Sequence, residues 1–176
     1  MRHLFAYGTL RWNLLPEAYR PRPLPGVNPP ATDPATPPLW NAETFPGLLQ
    51  AVCQRLSYAG TGRVAGRLYD LGSYPGAVLG SQPVHTIVGD VYLLPPDPAV
   101  LVSLDAYEDY DPRYPERSLF RRVPVTVTLE DGRHLDCWMY EYHRDVSQAP
   151  PIPGGDYVEH WRWNIAGIKA TGAQAV

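Results

Sequence analysis

Phe5-Ala6-Tyr7-Gly8-Thr9-Leu10-Arg11 is the stretch from which the rest of the chain can be read. Leu4, Phe5 and Ala6 are apolar and predict a short buried strand from His3 to Tyr7. The apolar pattern stops at Gly8. Glycine admits backbone conformations closed to other residues and lets a ligand approach the main chain closely. Thr9 adds a hydroxyl and Arg11 a fixed positive charge. A strand ending in such a turn can leave several N–H groups pointing one way, a small nest suited to a carboxylate. A strand ending in an ordinary glycine turn has the same sequence, so these residues alone leave both readings open.

Working outward, 176 residues with 44% hydrophobic content predict a single globular domain with a real core. The net charge of −3 and pI near 5.9 offer no basic stripe for nucleic acid. The N-terminus has no apolar signal region, and no apolar run is long enough to span a bilayer, so the expectation is a soluble, cytoplasmic protein. Cys53 and Cys137 are far apart and lack metal-like spacing; a reduced compartment fits, and one disulfide stays open. The five histidines are scattered, without a metal spacing.

The 21 prolines cut the chain into short pieces. Proline lacks a backbone donor and disfavours helix interiors and central strands. Pro16 to Pro38 is therefore expected to be a loop, packed on the domain surface through Leu24, Val27, Leu39 and Trp40. Phe45, Leu48, Leu49, Val52 and Leu56 recur at helical spacing and predict a helix from about Pro46 to Ser57, with Thr44 as its cap. Gly60-Thr61-Gly62 then reads as a turn, and Arg63 to Leu71 as a strand. Gly72 to Gly76 reads as a turn before a short strand at Ala77–Leu79. Thr86 to Leu94 predicts a strand buried on both sides. Pro98 to Tyr107 predicts a helix capped by Asp97. Arg122–Leu129 and Leu135–Tyr142 predict a hairpin through Glu130-Asp131-Gly132-Arg133. Strands outnumber helices, which predicts an α+β domain on a small mixed, barrel-like sheet.

The sharpest chemical candidate is Glu108. It lies among Asp105, Asp109 and Asp111 and is flanked by Tyr107 and Tyr110. Like charges and apolar burial both raise a carboxyl pKa and so prepare a group for proton transfer. A solvated acidic helix end is the plainer alternative. Arg121-Arg122 reads as a solvated strand start or as a partner for this acidic cluster.

Together these pieces resemble the γ-glutamylcyclotransferase-like superfamily, which includes γ-glutamylamine cyclotransferase. Tyr7-Gly8-Thr9-Leu10 is similar to its first signature loop. Gly66-Arg67-Leu68-Tyr69-Asp70-Leu71-Gly72-Ser73-Tyr74-Pro75-Gly76 is similar to its second. Val88-Gly89-Asp90-Val91-Tyr92 resembles its V-x-G-E-V-Y strand. Leu104-Asp105-Ala106-Tyr107-Glu108 resembles the L-D-x-Y-E segment that carries the family's catalytic glutamate. Trp138-Met139-Tyr140 fits the late strand, and Ile152 to Asp156 the glycine-rich tail. The resemblance covers most of the chain except Pro16 to about Pro46, so residues 1–176 read as one such domain with a proline-rich insertion at about 16–45.

The resemblance implies a small mixed β-barrel with flanking helices and a cavity at the barrel mouth. Tyr7, Gly8, Thr9 and Leu10 would bind an anionic group of a small γ-glutamyl substrate, and Glu108 would act across from them as catalytic base and acid. The product would be 5-oxoproline plus a free amine, with no metal, no cofactor, no nucleic acid and no membrane involved. Two departures bear on substrate identity. The family often has Tyr-x-Arg where this chain has Phe120-Arg121-Arg122, and the insertion follows the first signature loop. The alternatives are a non-catalytic small-ligand-binding or regulatory protein on the same fold, or an interaction protein that uses its proline-rich loop.

Overall fold

The computed structural model describes residues 1–34, 36–80 and 85–172. Ala35, within the proline-rich stretch, and residues 173–176 of the expected domain lie outside the described residues. The strands are β1 (His3–Ala6), β2 (Arg22–Pro23), β3 (Ser57–Asp70), β4 (Pro75–Leu79), β5 (Thr86–Leu93), β6 (Phe120–Leu129) and β7 (His134–Tyr142). The α-helices are α1 (Gly47–Cys53), α2 (Ala99–Tyr107) and α3 (Tyr157–Gly172). Among the described residues no helix is long and apolar enough to cross a membrane.

Strand β1 runs antiparallel to β5 and parallel to β7, which makes the sheet mixed. The order β3-β5-β1-β7-β6 is closed into a barrel where β6 returns to β3, at Gly62 opposite Leu129 and Arg63 opposite Thr128. A closed barrel leaves no sheet edge among these five strands. Alternation along β1 divides the core. Leu4 and Ala6 join Leu49, Val52, Val100 and Leu104 of α1 and α2, whereas Phe5 and Tyr7 pack with Val91, Val127 and Met139. The same period of two places Tyr140 with the helices and its neighbour Met139 with the strands.

Several sequence expectations need correction. Gly60-Thr61-Gly62 is not a turn; β3 runs straight through it for 14 residues, with a bulge between Tyr58 and Gly60. The glycines serve barrel closure instead. A Cβ at Gly62 would lie 2.5 Å from Val127 Cγ1 and 2.9 Å from the Thr128 carbonyl oxygen, so only glycine lets β3 meet β6 there. Helix α1 ends at Cys53, earlier than its apolar pattern predicts, because Ser57 is already paired in the sheet. Pro46 occupies the cap position, and the Thr44 hydroxyl donates to Asn41 Oδ1 instead of capping the helix. Asp97 does receive the Ala99 N–H at the start of α2, at 2.9 Å. The hairpin of β6 and β7 and the strand β5 match expectation closely. Cys53 and Cys137 are both free and buried.

The proline-rich stretch is packed against the domain. Arg22–Pro23 pairs parallel with the start of β3, an edge position where proline's missing donor costs nothing. Leu24 donates to the Tyr58 carbonyl at 2.9 Å, and Leu39 to the Leu14 carbonyl at 2.9 Å. From α3, Arg162 Nε donates to Thr36 Oγ1 at 2.7 Å, and Trp161 Nε1 to the Pro37 carbonyl at 3.2 Å. Leu24, Val27, Leu39 and Trp40 all pack on the core, as expected of apolar anchors.

Candidate active site

The turn after β1 and the end of α2 meet at a cavity of about 310 Å³. Tyr7, Gly8, Thr9 and Leu10 line it on one side and Tyr107, Glu108 and Asp109 on another. The two elements are joined directly: the Thr9 and Tyr107 hydroxyls are 3.1 Å apart. Tyr74, Pro75, Leu119, Phe120, Tyr140 and Trp40 supply further wall.

The turn is closed by the Arg11 N–H donating to the Gly8 carbonyl at 2.9 Å. Among the described residues no protein acceptor meets the N–H groups of Gly8, Thr9 or Leu10. Gly8 is required by space. A Cβ there would lie 2.9 Å from Pro75 Cγ, and its φ is outside the left-handed region. The second signature thus packs against the first, which is why both are needed to shape the mouth.

Glu108 is placed by the way α2 ends. It occupies the C-cap, and Asp109 follows at φ 51°, the left-handed conformation. The Tyr110 N–H reaches back to the Asp105 carbonyl at 2.9 Å, the long bond of a Schellman ending. Glycine is usual at that left-handed position; aspartate is among the few other residues that tolerate it. One turn earlier, Asp105 anchors the helix. Both its oxygens accept from Arg122 Nη1 at 2.8 Å, and Tyr140 Oη donates to Oδ1 at 2.7 Å. Tyr7 Oη in turn donates to the Tyr140 carbonyl at 2.6 Å. Burial pushes up the phenols of Tyr7, Tyr107 and Tyr140, so they remain neutral donors.

Glu108 faces the cavity, so it keeps some accessible surface while being surrounded by protein. Among the described residues its carboxylate has no hydrogen-bond or ion-pair partner. Burial alone raises its pKa to about 8. The expected like-charge contribution is absent, because the four carboxylates do not form one electrostatic unit. Asp105 is held by Arg122, Asp111 is paired with Arg113, and Asp109 is exposed.

Arg11 does not join the cavity. Its Nε lies 3.0 Å from Asp90 Oδ2 and its Nη1 3.2 Å from Asp156 Oδ1, and Nη1 also donates to the Val88 carbonyl. Asp90 is fully buried and accepts from the Trp12 N–H at 2.7 Å and the Thr61 hydroxyl at 3.1 Å. This knot ties the first loop to β3, β5 and the start of α3. Breaking a buried pair of this kind by removing one partner costs about 3–5 kcal/mol. The sequence reading missed it because alternation along β5 predicts burial of position 90 and cannot predict the partner. Nothing in the sequence marks Tyr140 or Trp40 as cavity wall, whereas the acidic segment and Arg121-Arg122 do suggest a pairing, which the structure makes between Asp105 and Arg122. Among the described residues no group of three or more His, Cys, Asp or Glu is placed to hold a metal ion.

A closed mixed barrel with an unpaired carboxylate at its mouth defines the class of fold expected from the motifs. The sequence matches the family described as Gamma-glutamyl cyclotransferase, AIG2-like, over residues 4–159, and the chain belongs to that family. It is 34% identical over 93 residues to the Gamma-glutamylcyclotransferase family protein YtfP of Escherichia coli K12, covering 53% of this chain and 68% of that one. It is 51% identical over 92 residues to a putative gamma-glutamylcyclotransferase of Vibrio cholerae, covering 52% and 66%. The crystal structure of an AIG2-like protein from Mus musculus shares the fold, with a TM-score of 0.54 at 18% identity over 89% of this chain and 88% of that one.

Proposed function

We propose that this protein converts a γ-glutamyl amine or peptide to 5-oxoproline and a free amine, with Glu108 as the proton-transfer group. One observation carries the reading. Glu108, which has no hydrogen-bond or ion-pair partner among the described residues, has its pKa raised to about 8 by burial and shares the cavity with the free N–H groups of the Gly8–Leu10 turn. The substrate's α-carboxylate docks on that turn, where unpaired N–H groups favour an anion. Glu108 takes a proton from the α-ammonium. The two groups are closely matched, since an α-amino group titrates near ~8. The freed amine attacks the γ-carbonyl carbon of the same molecule, and the new C–N bond closes the five-membered lactam. As the original γ-amide C–N bond breaks, Glu108 returns its proton to the departing nitrogen, and the ring nitrogen, now part of an amide, gives up its second proton, which the freed amine carries away as an ammonium. Holding the chain folded for attack is an orientation effect.

The cavity is open, and the proline-rich stretch packs outside it with Trp40 as its contribution to the wall. Both features favour turnover over a site that only holds ligand, and the ordered packing of that stretch speaks against a free partner-binding loop. The test is 5-oxoproline release from a panel of γ-glutamyl amides, run beside Glu108→Gln. Release by the wild type and loss in the variant, with the fold intact, is the expected result. Equal release by both removes Glu108 from the mechanism. Binding without turnover in both moves the protein to the ligand-binding alternative.

A further inference from the structure

We infer that the leaving amine is small and apolar, without a carboxylate, and sits against Trp40, Tyr74, Leu119 and Phe120. The inference rests on the cyclotransferase reading and concerns the part of the cavity that the glutamyl group does not use. With Gly8–Leu10 and Glu108 assigned to that group, the remaining wall is mainly aromatic and aliphatic. Tyr74 and Phe120 pack with ring centroids 6.0 Å apart, and Tyr142 backs Phe120 edge-on at 5.4 Å. Leu119 is tied to the chain beside Glu108 by its N–H donating to the Asp109 carbonyl at 3.1 Å. Trp40 comes from the proline-rich insertion and rests on Phe45.

Among the described residues no lysine, arginine or histidine lines the cavity, and the acidic side chains that do are Glu108 and Asp109. An amino-acid leaving group would bring a second carboxylate to a wall of rings and carboxyl groups. That carboxylate would be desolvated without a counter-charge, which is costly. The C-terminal end of α2 opens at the same place, and its negative dipole end adds to the penalty. A volume of about 310 Å³ is small for a ligand site, so the amine is compact.

The test uses γ-glutamyl pentylamide, 4-aminobutylamide and 4-carboxybutylamide, which match in length and differ in end group, with the methylamide as reference. The pentylamide should exceed the 4-carboxybutylamide in kcat/KM by about 30-fold or more. Trp40→Ala should raise KM for the pentylamide ~10-fold with kcat little changed, have a clearly smaller effect on the methylamide, and be largely rescued by Trp40→Phe. Equal or better turnover of either charged amide overturns the inference. So does a Trp40→Ala effect of equal size on the methylamide. If no amide yields 5-oxoproline, the cyclotransferase reading fails separately. Calorimetric binding of the same amides to Glu108→Gln then decides the wall's preference. Tighter binding of the pentylamide supports it, and equal affinity for all three overturns it.

Discussion

Asp90 and Glu108 are carboxyl groups in one small domain, placed in contrasting surroundings. Asp90, on β5, is fully buried, lies beside Arg11, and receives hydrogen bonds from the Trp12 N–H and the Thr61 hydroxyl. Glu108, at the end of α2, is enclosed by a cavity wall and has no partner among the described residues. Pairing makes Asp90 a structural joint between the first loop, β3 and β5. Isolation leaves Glu108 with a pKa near 8, which costs stability and suits a group that must gain and lose a proton. The comparison teaches that burial alone does not set a carboxyl apart: a counter-charge ties Asp90 into the fold, whereas burial without one beside an open cavity raises the Glu108 pKa.

The sharpest way to break the comparison is Glu108→Gln. An amide cannot take up and return the proton, so 5-oxoproline release should fall by about 10³-fold or more, measured with saturating substrate. The same variant should be more stable than the wild type at alkaline pH. Glu108's folded pKa is raised above the ordinary 4.5, so its favourable contribution is full below about pH 4.5 and is lost as pH rises through about 8. Glutamine has no such loss, and thermal unfolding should show the gap widening from pH 5 to pH 8.

Arg11→Met tests the other half. It should lower unfolding stability by ~3–5 kcal/mol in urea, because Asp90 is left buried without its counter-charge. Activity lost in proportion to the unfolded fraction would keep Arg11 structural. Unimpaired folding with abolished activity would place it in the chemistry after all.

A pH profile is the next largest effect. Glu108 must be ionised and the substrate must bring its α-ammonium, so kcat/KM should climb up to about tenfold per pH unit below pH 8 and fall again above it. A flat profile from pH 5 to pH 8 would contradict an isolated carboxyl. The smallest expected change is Tyr107→Phe, which removes the 3.1 Å contact with Thr9 and should cost ~0.5–1.5 kcal/mol of stability. A larger loss of kcat would show that this tie also positions Glu108.

Much of the sheet was legible because its signals are local. The alternation of Thr86–Leu94 and the Glu130–Arg133 turn between two β-branched runs place β5 and the β6–β7 hairpin within a residue or two. The miss at Gly60-Thr61-Gly62 is instructive. The same glycines signal a turn or a close approach of two strands, and only the presence of Val127 and Leu129 decides between them. Helix α1 is shorter than its apolar spacing predicts because that spacing cannot register where sheet pairing takes over the backbone.

The site divides in the same way. Sequence motifs were sufficient to bring Tyr7 to Leu10 and Glu108 to notice, since each sits where a regular element breaks off. They could not distinguish Arg11, one residue further on, which turns away from the cavity into the Asp90 knot. By itself the sequence determined the strand and helix pattern, the family, and the residues that end β1 and α2. Only the tertiary structure decided which carboxylate is paired and which is left alone. Pairing across 79 residues, as between Arg11 and Asp90, depends on barrel closure and has no local trace, whereas a strand's alternation or a helix's ending is written in neighbouring residues.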